Sequence, residues 1–221
     1  MTTPLNGQRV LVVGASGGIG RATTEAFEKV GAEVTSPDRD ALDITDEASI
    51  EAFFAGSGVF DHVVVAAAKT KTGPVATLAL DDAQAAMNSK FFGAYRVARA
   101  AKVRDGGSIT FVSGFLSQRP SASSVLQGAI NAALEALGRG LALERAPVRV
   151  NTVSPGLVDT PLYAGISDAD RQAMFDKTAA RLPVRRVGQP EDIAGAILFV
   201  ATNPYATGST VTVDCGGTIA A

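Results

Sequence analysis

The stretch "RVLVVGASGGIGRATTEAF", residues 9–27, decides the fold. Its opening, "RVLVVGA" (9–15), is an apolar, valine-rich run with no polar alternation. That is the pattern of a strand buried on both faces. The run passes directly into a glycine-rich turn. A helical pattern follows, "IGRATTEAFEKVGA" (19–32), ending at Gly31, a suitable C-terminal glycine. Gly14, Gly18 and Gly20 give the spacing G-x-x-x-G-x-G. Glycines there let the chain turn sharply and let backbone N–H groups approach a pyrophosphate, with the positive end of the helix behind them. Between a strand and a helix the pattern reads as a nucleotide cradle, with a merely tight turn as the alternative.

Outward from this unit, short apolar runs alternate with longer helical patterns. "AEVTS" (32–36), "FDHVVVAAA" (60–68), "GGSITFVSG" (106–114), "VRVNTVSPG" (148–156) and "STVTVDCGG" (209–217) read as strands. The segments 80–104, 123–145 and 190–202 read as helices, and 157–182 as a mobile stretch. Such alternation predicts an α/β fold with a doubly wound parallel sheet flanked by helices. No linker or internal repeat interrupts it, so residues 1–221 are expected to form a single domain. Between Ser36 and "LDITD" (42–46) lie about five residues. A parallel crossover needs a dozen or more, usually with a helix. The helix after the second strand is therefore expected to be missing, and the edge strand beyond it lost or vestigial.

Composition narrows the function. The 221 residues are 46% hydrophobic and carry a net charge of -2, which leaves no basic footprint for nucleic acid. The single cysteine, Cys215, and single histidine, His62, support neither a disulfide framework nor a metal site. His62, at the start of an apolar run, reads as a structural residue. No apolar run reaches membrane-spanning length and "MTTPLNGQRV" has no signal-peptide pattern, so a cytoplasmic protein without membrane contact is expected.

"VVGASGGIGRA" resembles the opening of the short-chain dehydrogenase/reductase family. "ALEALGRGLALERAPVRVNTVSPGLVDTPL" (133–162) is similar to the family's helix, strand and Pro-Gly loop. "GQPEDIAGAILFVATNPYATGSTVTVDCGG" (188–217) resembles its C-terminal signature. The resemblance implies a Rossmann-type domain binding NAD or NADP, an oxidoreductase acting on a small carbonyl or alcohol, and a homodimer or homotetramer packed through the two long helices. It places the glycines, Ser16 and Ile19 at the pyrophosphate, Asp43 and Ile44 at the adenine, and Ala66, Ala67 and Ala68 along the nucleotide. Ser154, Pro155, Gly156, Val158 and Thr160 fall on the nicotinamide side. The adjacent Asp38 and Arg39 leave two choices: acidic residues there suit NAD, basic ones NADP. The reading leans to NAD; the alternative is that both are ordinary turn residues.

At the family's catalytic positions the sequence departs from the pattern. The tyrosine place falls on Gln127, and the lysine place, which also binds the nicotinamide ribose, on Asn131. The serine place falls on Gly114, with Ser113 beside it as a substitute, and the asparagine place on Lys90. Gln127 can donate a hydrogen bond to a carbonyl oxygen but cannot supply a proton. Two residues are candidates for that role: Lys90, whose pKa burial would lower, and Tyr163, at the start of the substrate lid. Lys90 has a competing reading as a space-filling residue bonded to carbonyls. Lys69 and Lys71 read as solvated. A dinucleotide-binding protein without redox turnover, and a lyase or isomerase using the cofactor structurally, remain as alternatives.

Overall fold

The computed structural model describes residues 4–220, so residues 1–3 and 221 of the expected domain lie outside it. Strand β1 (Arg9–Val13) is followed by α1 (Gly18–Lys29), β2 (Glu33–Thr35), α2 (Glu47–Ser57) and β3 (Phe60–Val65). Next come α3 (Leu80–Met87), a π-helical turn (Asn88–Phe92), α4 (Gly93–Ala100), β4 (Val103–Val112) and α5 (Val125–Glu144). The chain ends with β5 (Arg149–Pro155), α6 (Asp168–Ala179), α7 (Pro190–Thr202) and β6 (Thr210–Val213). The strands form one sheet in the order β2-β1-β3-β4-β5-β6. Every pairing is parallel.

Period-2 alternation sorts the strand residues onto two cores. Leu11, Val13, Val63, Val65, Ile109 and Phe111 face one side and pack with Ile50 and Phe54 of α2, Val97 of α4 and Leu134 of α5. Val10, Val12, Val64 and Val153 face the other and pack with Phe27 of α1 and Ile193, Ile197 and Val200 of α7. A fully buried side chain of this size contributes about 1.5–3 kcal/mol through its removal from water. That explains why these strands read as continuous apolar runs.

Residues 36–46 contain no helix, and β2 is the edge of the sheet, as the short connection predicts. The crossover to β3 is made instead by α2, which the sequence reading missed. Asp46 caps it, accepting from Ala48 N at 3.1 Å. The segment 80–104 is not one helix: it loosens into a π turn at Asn88–Phe92, and β4 already begins at Val103. The stretch 157–182 is not uniformly irregular, because it holds α6, whose N-cap Ser167 accepts from Asp170 N. The last strand is shorter than expected, ending at Val213.

His62 has the structural role expected of it. Its ring lies 2.9 Å from both Ser108 Oγ and Gln8 Oε1. Burial pushes its pKa down to about 4, Arg149 adding to the effect and Asp61 opposing it. The unfolded chain therefore takes up a proton near pH 6.5 that the folded chain refuses until about 4. Stability is complete above that window and falls as pH drops through it, by up to about 3 kcal/mol. Urea midpoints at pH 7 and 4.5 should differ less in His62→Gln than in the wild type.

Candidate functional site

The chain leaves β1 toward β2 on one side and returns through β3 on the other, so the sheet order reverses between β1 and β3. At such a switch point the carboxyl ends of the strands leave a crevice. A cavity of about 840 Å³ lies there. Gly14, Ser16, Asp38, Arg39, Asp43, Ile44, Ala66, Ala67 and Ala68 all line it, bringing together residues spread over 55 positions of sequence.

The glycine cradle is tight. Gly14 has φ +96°, and a Cβ there would lie 2.5 Å from Ala67 N. At Gly20 a Cβ would run into the carbonyl oxygen of Gly14. At Gly18 it would lie 2.9 Å from Thr160 Cγ2, which sets Thr160 directly against the loop. Ile19 packs against the second core, and Val158 is a buried member of it. Pro155 ends β5, paired with Val213, and Gly156 N donates to Val213 O at 2.9 Å.

At the end of the cavity lined by Asp38, Arg39 and Asp43, Asp43 accepts from Thr45 N at 2.8 Å and Thr45 Oγ1 at 2.6 Å. These bonds, more than the ion pair with Arg39 at 3.0 Å, hold its carboxyl below the usual range against the opposing effect of burial. Asp38 accepts from Ala41 N and closes a turn. Both members of the Asp38–Arg39 pair thus have local partners while facing the cavity.

Beyond the glycine loop the π turn aims Lys90 into the interior. The extra residue in such a turn re-aims side chains, a feature frequent at functional sites. Lys90 Nζ donates to Ser113 O and to Asn131 Oδ1, both at 2.7 Å. Ser113 Oγ donates to Glu135 Oε1 at 2.8 Å, and Ser117 Oγ to the same oxygen at 2.7 Å. All of these residues except Ser117 are buried. Lys90, Ser113 and Asn131, from three separate elements, are therefore one network, and the ammonium rests against Asn131.

Ser113 does not present its hydroxyl to the cavity as the sequence reading expected. That proton is committed to Glu135, and Ser113 serves Lys90 through its carbonyl. Gly114 is explained by its neighbour: a Cβ there would lie 2.8 Å from Asn131 Nδ2. Glu135 and Ser117 were missed. Glu135 lies four and eight residues beyond Asn131 and Gln127, on the same face of α5, and an acidic residue on that face was the available signal. Tyr163 stands apart. Its ring packs edge-on against Phe175 at 5.6 Å, and burial raises its pKa, away from the range useful to an acid.

Six buried side-chain atoms have no partner among the described residues, and two of them, Gln127 Oε1 and Ser154 Oγ, belong to residues that the family resemblance sets at the site. Both lie where the resemblance sets the nicotinamide side, and buried polar atoms are otherwise almost always satisfied. With the glycine cradle, they fit a bound dinucleotide.

Burial pushes the Lys90 ammonium from its ordinary 10.5 down to about 8, with the charge of Glu135 opposing the shift. Between pH 8 and 10.5 the unfolded chain holds a proton that the folded chain has released. Burial of the charge thus costs stability below pH 8, and the cost fades as pH rises through the window, by about 3 kcal/mol. Urea unfolding of wild type and Lys90→Met, compared at pH 7.5 and 10.5, should show that relative gain in the wild type.

A glycine cradle at the switch point of a doubly wound parallel sheet defines the class of α/β domains that bind dinucleotides. The family model described as enoyl-(acyl carrier protein) reductase matches residues 40–218. A solved small-chain dehydrogenase in complex with NADPH is 39% identical, with a TM-score of 0.91 over 96% of this chain and 99% of its own. The D-erythrulose reductase of Gallus gallus is 30% identical over 95% of both chains. The 2,3-dihydro-2,3-dihydroxybenzoate dehydrogenase of Escherichia coli is 29% identical over 98% of this chain and 99% of that one. The chain belongs to the short-chain dehydrogenase/reductase family.

Proposed function

We propose that this protein is an NAD(P)-dependent oxidoreductase of a small carbonyl or alcohol, with an atypical proton-handling site built on Lys90. The observation that carries the reading is the buried Lys90 ammonium bonded to Asn131 and Ser113 O, next in the chain to Ser89, which lines the cavity. The bound dinucleotide would supply or accept the hydride. Gly14, Ser16, Gly18, Ile19 and Gly20 would hold its pyrophosphate, Asp43 and Ile44 its adenine, and Ala66–Ala68 its length. Thr160, Gly156 and the backbone at Val158 would hold the far end, with Asn131 near the ribose. The 39% identical relative was solved in complex with NADPH. Here Arg39 is engaged by Asp43, and the lean to NAD rests on Asp38.

An ammonium has three N–H donors, and Lys90 uses two of them on protein acceptors. The third is the proton offered to a substrate oxygen as it becomes an alkoxide. Lowered to about 8, the ammonium gives that proton up readily and can accept one in the reverse direction. Gln127 would orient the substrate through its side-chain amide. Glu135, tied down by two serine hydroxyls, keeps Ser113 in place. Tyr163 takes no direct part in this account.

A second reading, dinucleotide binding without redox turnover, is favoured by one observation. Gln127 and Asn131 occupy α5, and the three tyrosines lie elsewhere: Tyr95 and Tyr205 are exposed, and Tyr163 is packed on Phe175. Titration of nicotinamide fluorescence with NADH and NADPH, followed by turnover against ketones and aldehydes, separates the two. Binding with turnover supports the oxidoreductase; binding without it supports the second reading.

The assembly expected from the resemblance is a homodimer or homotetramer. The outer face of α4 and α5, with Tyr95 and Leu143 exposed, is available for it. Molar mass by light scattering tests this. A cytoplasmic location belongs to the same proposal, and no helix among the described residues is long and apolar enough to cross a membrane.

A further inference from the structure

A second cavity, of about 340 Å³, opens on the far side of the Pro-Gly loop. Phe115, Leu116, Leu157 and Leu182 supply apolar wall, and Arg119 and Arg181 supply charge. Its volume is at the small end of ligand sites. Gly156 lines it too, which ties it to the end of the groove where the reaction would take place. Arg119 is fixed there by a hydrogen bond from one guanidinium nitrogen to the Gly217 carbonyl. That bond uses one of five N–H donors and leaves a planar fork of the kind that recognises oxyanions. Arg181 is exposed at the mouth, just beyond the last turn of α6.

The acidic residue in the wall, Asp214, forms no ion pair with either arginine among the described residues. Its carboxylate is turned into its own loop, accepting from Gly216 N, Thr218 N and Thr218 Oγ1. Thr178, the remaining hydroxyl on α6, donates to Met174 O at 2.9 Å. Ser121 Oγ is paired with Ser123 Oγ at 3.0 Å, and two guanidinium groups against one carboxylate leave the charged lining net positive.

We propose that Arg119 and Arg181 bind an anionic group of the substrate, a carboxylate or phosphate monoester carried on an apolar body. That the ligand is a substrate rests on the oxidoreductase reading; the anion preference of the cavity does not. An oxyanion held by a guanidinium fork gains charge-assisted bonds that a neutral isostere lacks. It would anchor one end of the molecule and leave the other directed toward Gly156.

Three probes decide it: benzoate, phenyl phosphate and benzamide, titrated into the cofactor-free protein by ligand-observed NMR. At least one anion should bind about tenfold or more tighter than benzamide. The tighter of the two identifies carboxylate or phosphate. Arg181→Gln, at an exposed position, and Arg119→Gln should each reduce the preference, with NADPH affinity unchanged. Equal binding of all three probes overturns the proposal, as does an anion preference that survives in both variants. Failure of the wild type to bind NADPH would remove the oxidoreductase reading and leave the anion result standing.

Discussion

Lys90→Met should lose about 10²- to 10⁴-fold in kcat, the range associated with removing a positioned acid or base, while NADPH affinity stays within a few-fold. Methionine keeps the volume of the buried stem and removes the ammonium. It leaves Ser113 O and Asn131 Oδ1 without their donor, but neither atom belongs to the glycine cradle. Binding should therefore survive and proton transfer should not. In the wild type the rate of carbonyl reduction should fall as pH rises through about 8, where the ammonium loses its proton. In the variant that break should vanish. Turnover unchanged by the substitution would remove Lys90 from the mechanism. Asn131→Lys is a useful companion: it would set a second cation where Asn131 Oδ1 now lies 2.7 Å from the first, and should fold poorly. Combined with Lys90→Asn, the same substitution returns the charge to α5 and should recover stability.

Gly14→Ala should abolish measurable dinucleotide binding, a loss of more than about 100-fold, and lower stability by about 1–3 kcal/mol, the usual range for a strained residue. Its φ of +96° disfavours any side chain, and the added Cβ would lie 2.5 Å from the backbone nitrogen of Ala67. That contact joins the ends of β1 and β3, so relief requires moving one strand end, not turning a side chain. Gly17→Ala is the control. A Cβ there finds only the Gly14 carbonyl oxygen at 3.4 Å, an ordinary contact. It should leave stability unchanged and cost little binding. Thermal unfolding and fluorescence titration of the two variants measure both effects. Equal behaviour of the pair would mean that the tightness of the cradle does not govern ligand affinity.

Local pattern carried much of this. The run Arg9–Val13 and the glycine spacing after it set the first strand, the cradle and the helix, because buried parallel strands and phosphate loops each impose a composition on a few adjacent residues. The five residues before "LDITD" were too few for a crossover helix, and none is there. Other elements were not legible. α2 has apolar residues spread around much of its circumference, so no clean stripe marked it. The break in 80–104 carries no proline or glycine at its centre, and a π turn leaves the apolar pattern nearly continuous on either side.

By itself the sequence determined the strand–cradle–helix unit, the parallel sheet, the helix-free connection after β2 and the placing of Gln127 and Asn131 four residues apart on one helix. Only the tertiary structure decided what surrounds them. Lys90 and Asn131 are 41 residues apart, and Ser113 and Glu135 are 22 apart. Their bonds depend on how helices from different crossovers pack on one face of the sheet. Periodicity reports which face of an element is buried. It carries no information on which buried polar atoms meet, and that pairing is what turns Lys90 from a lysine on a helix into an ammonium held against Asn131.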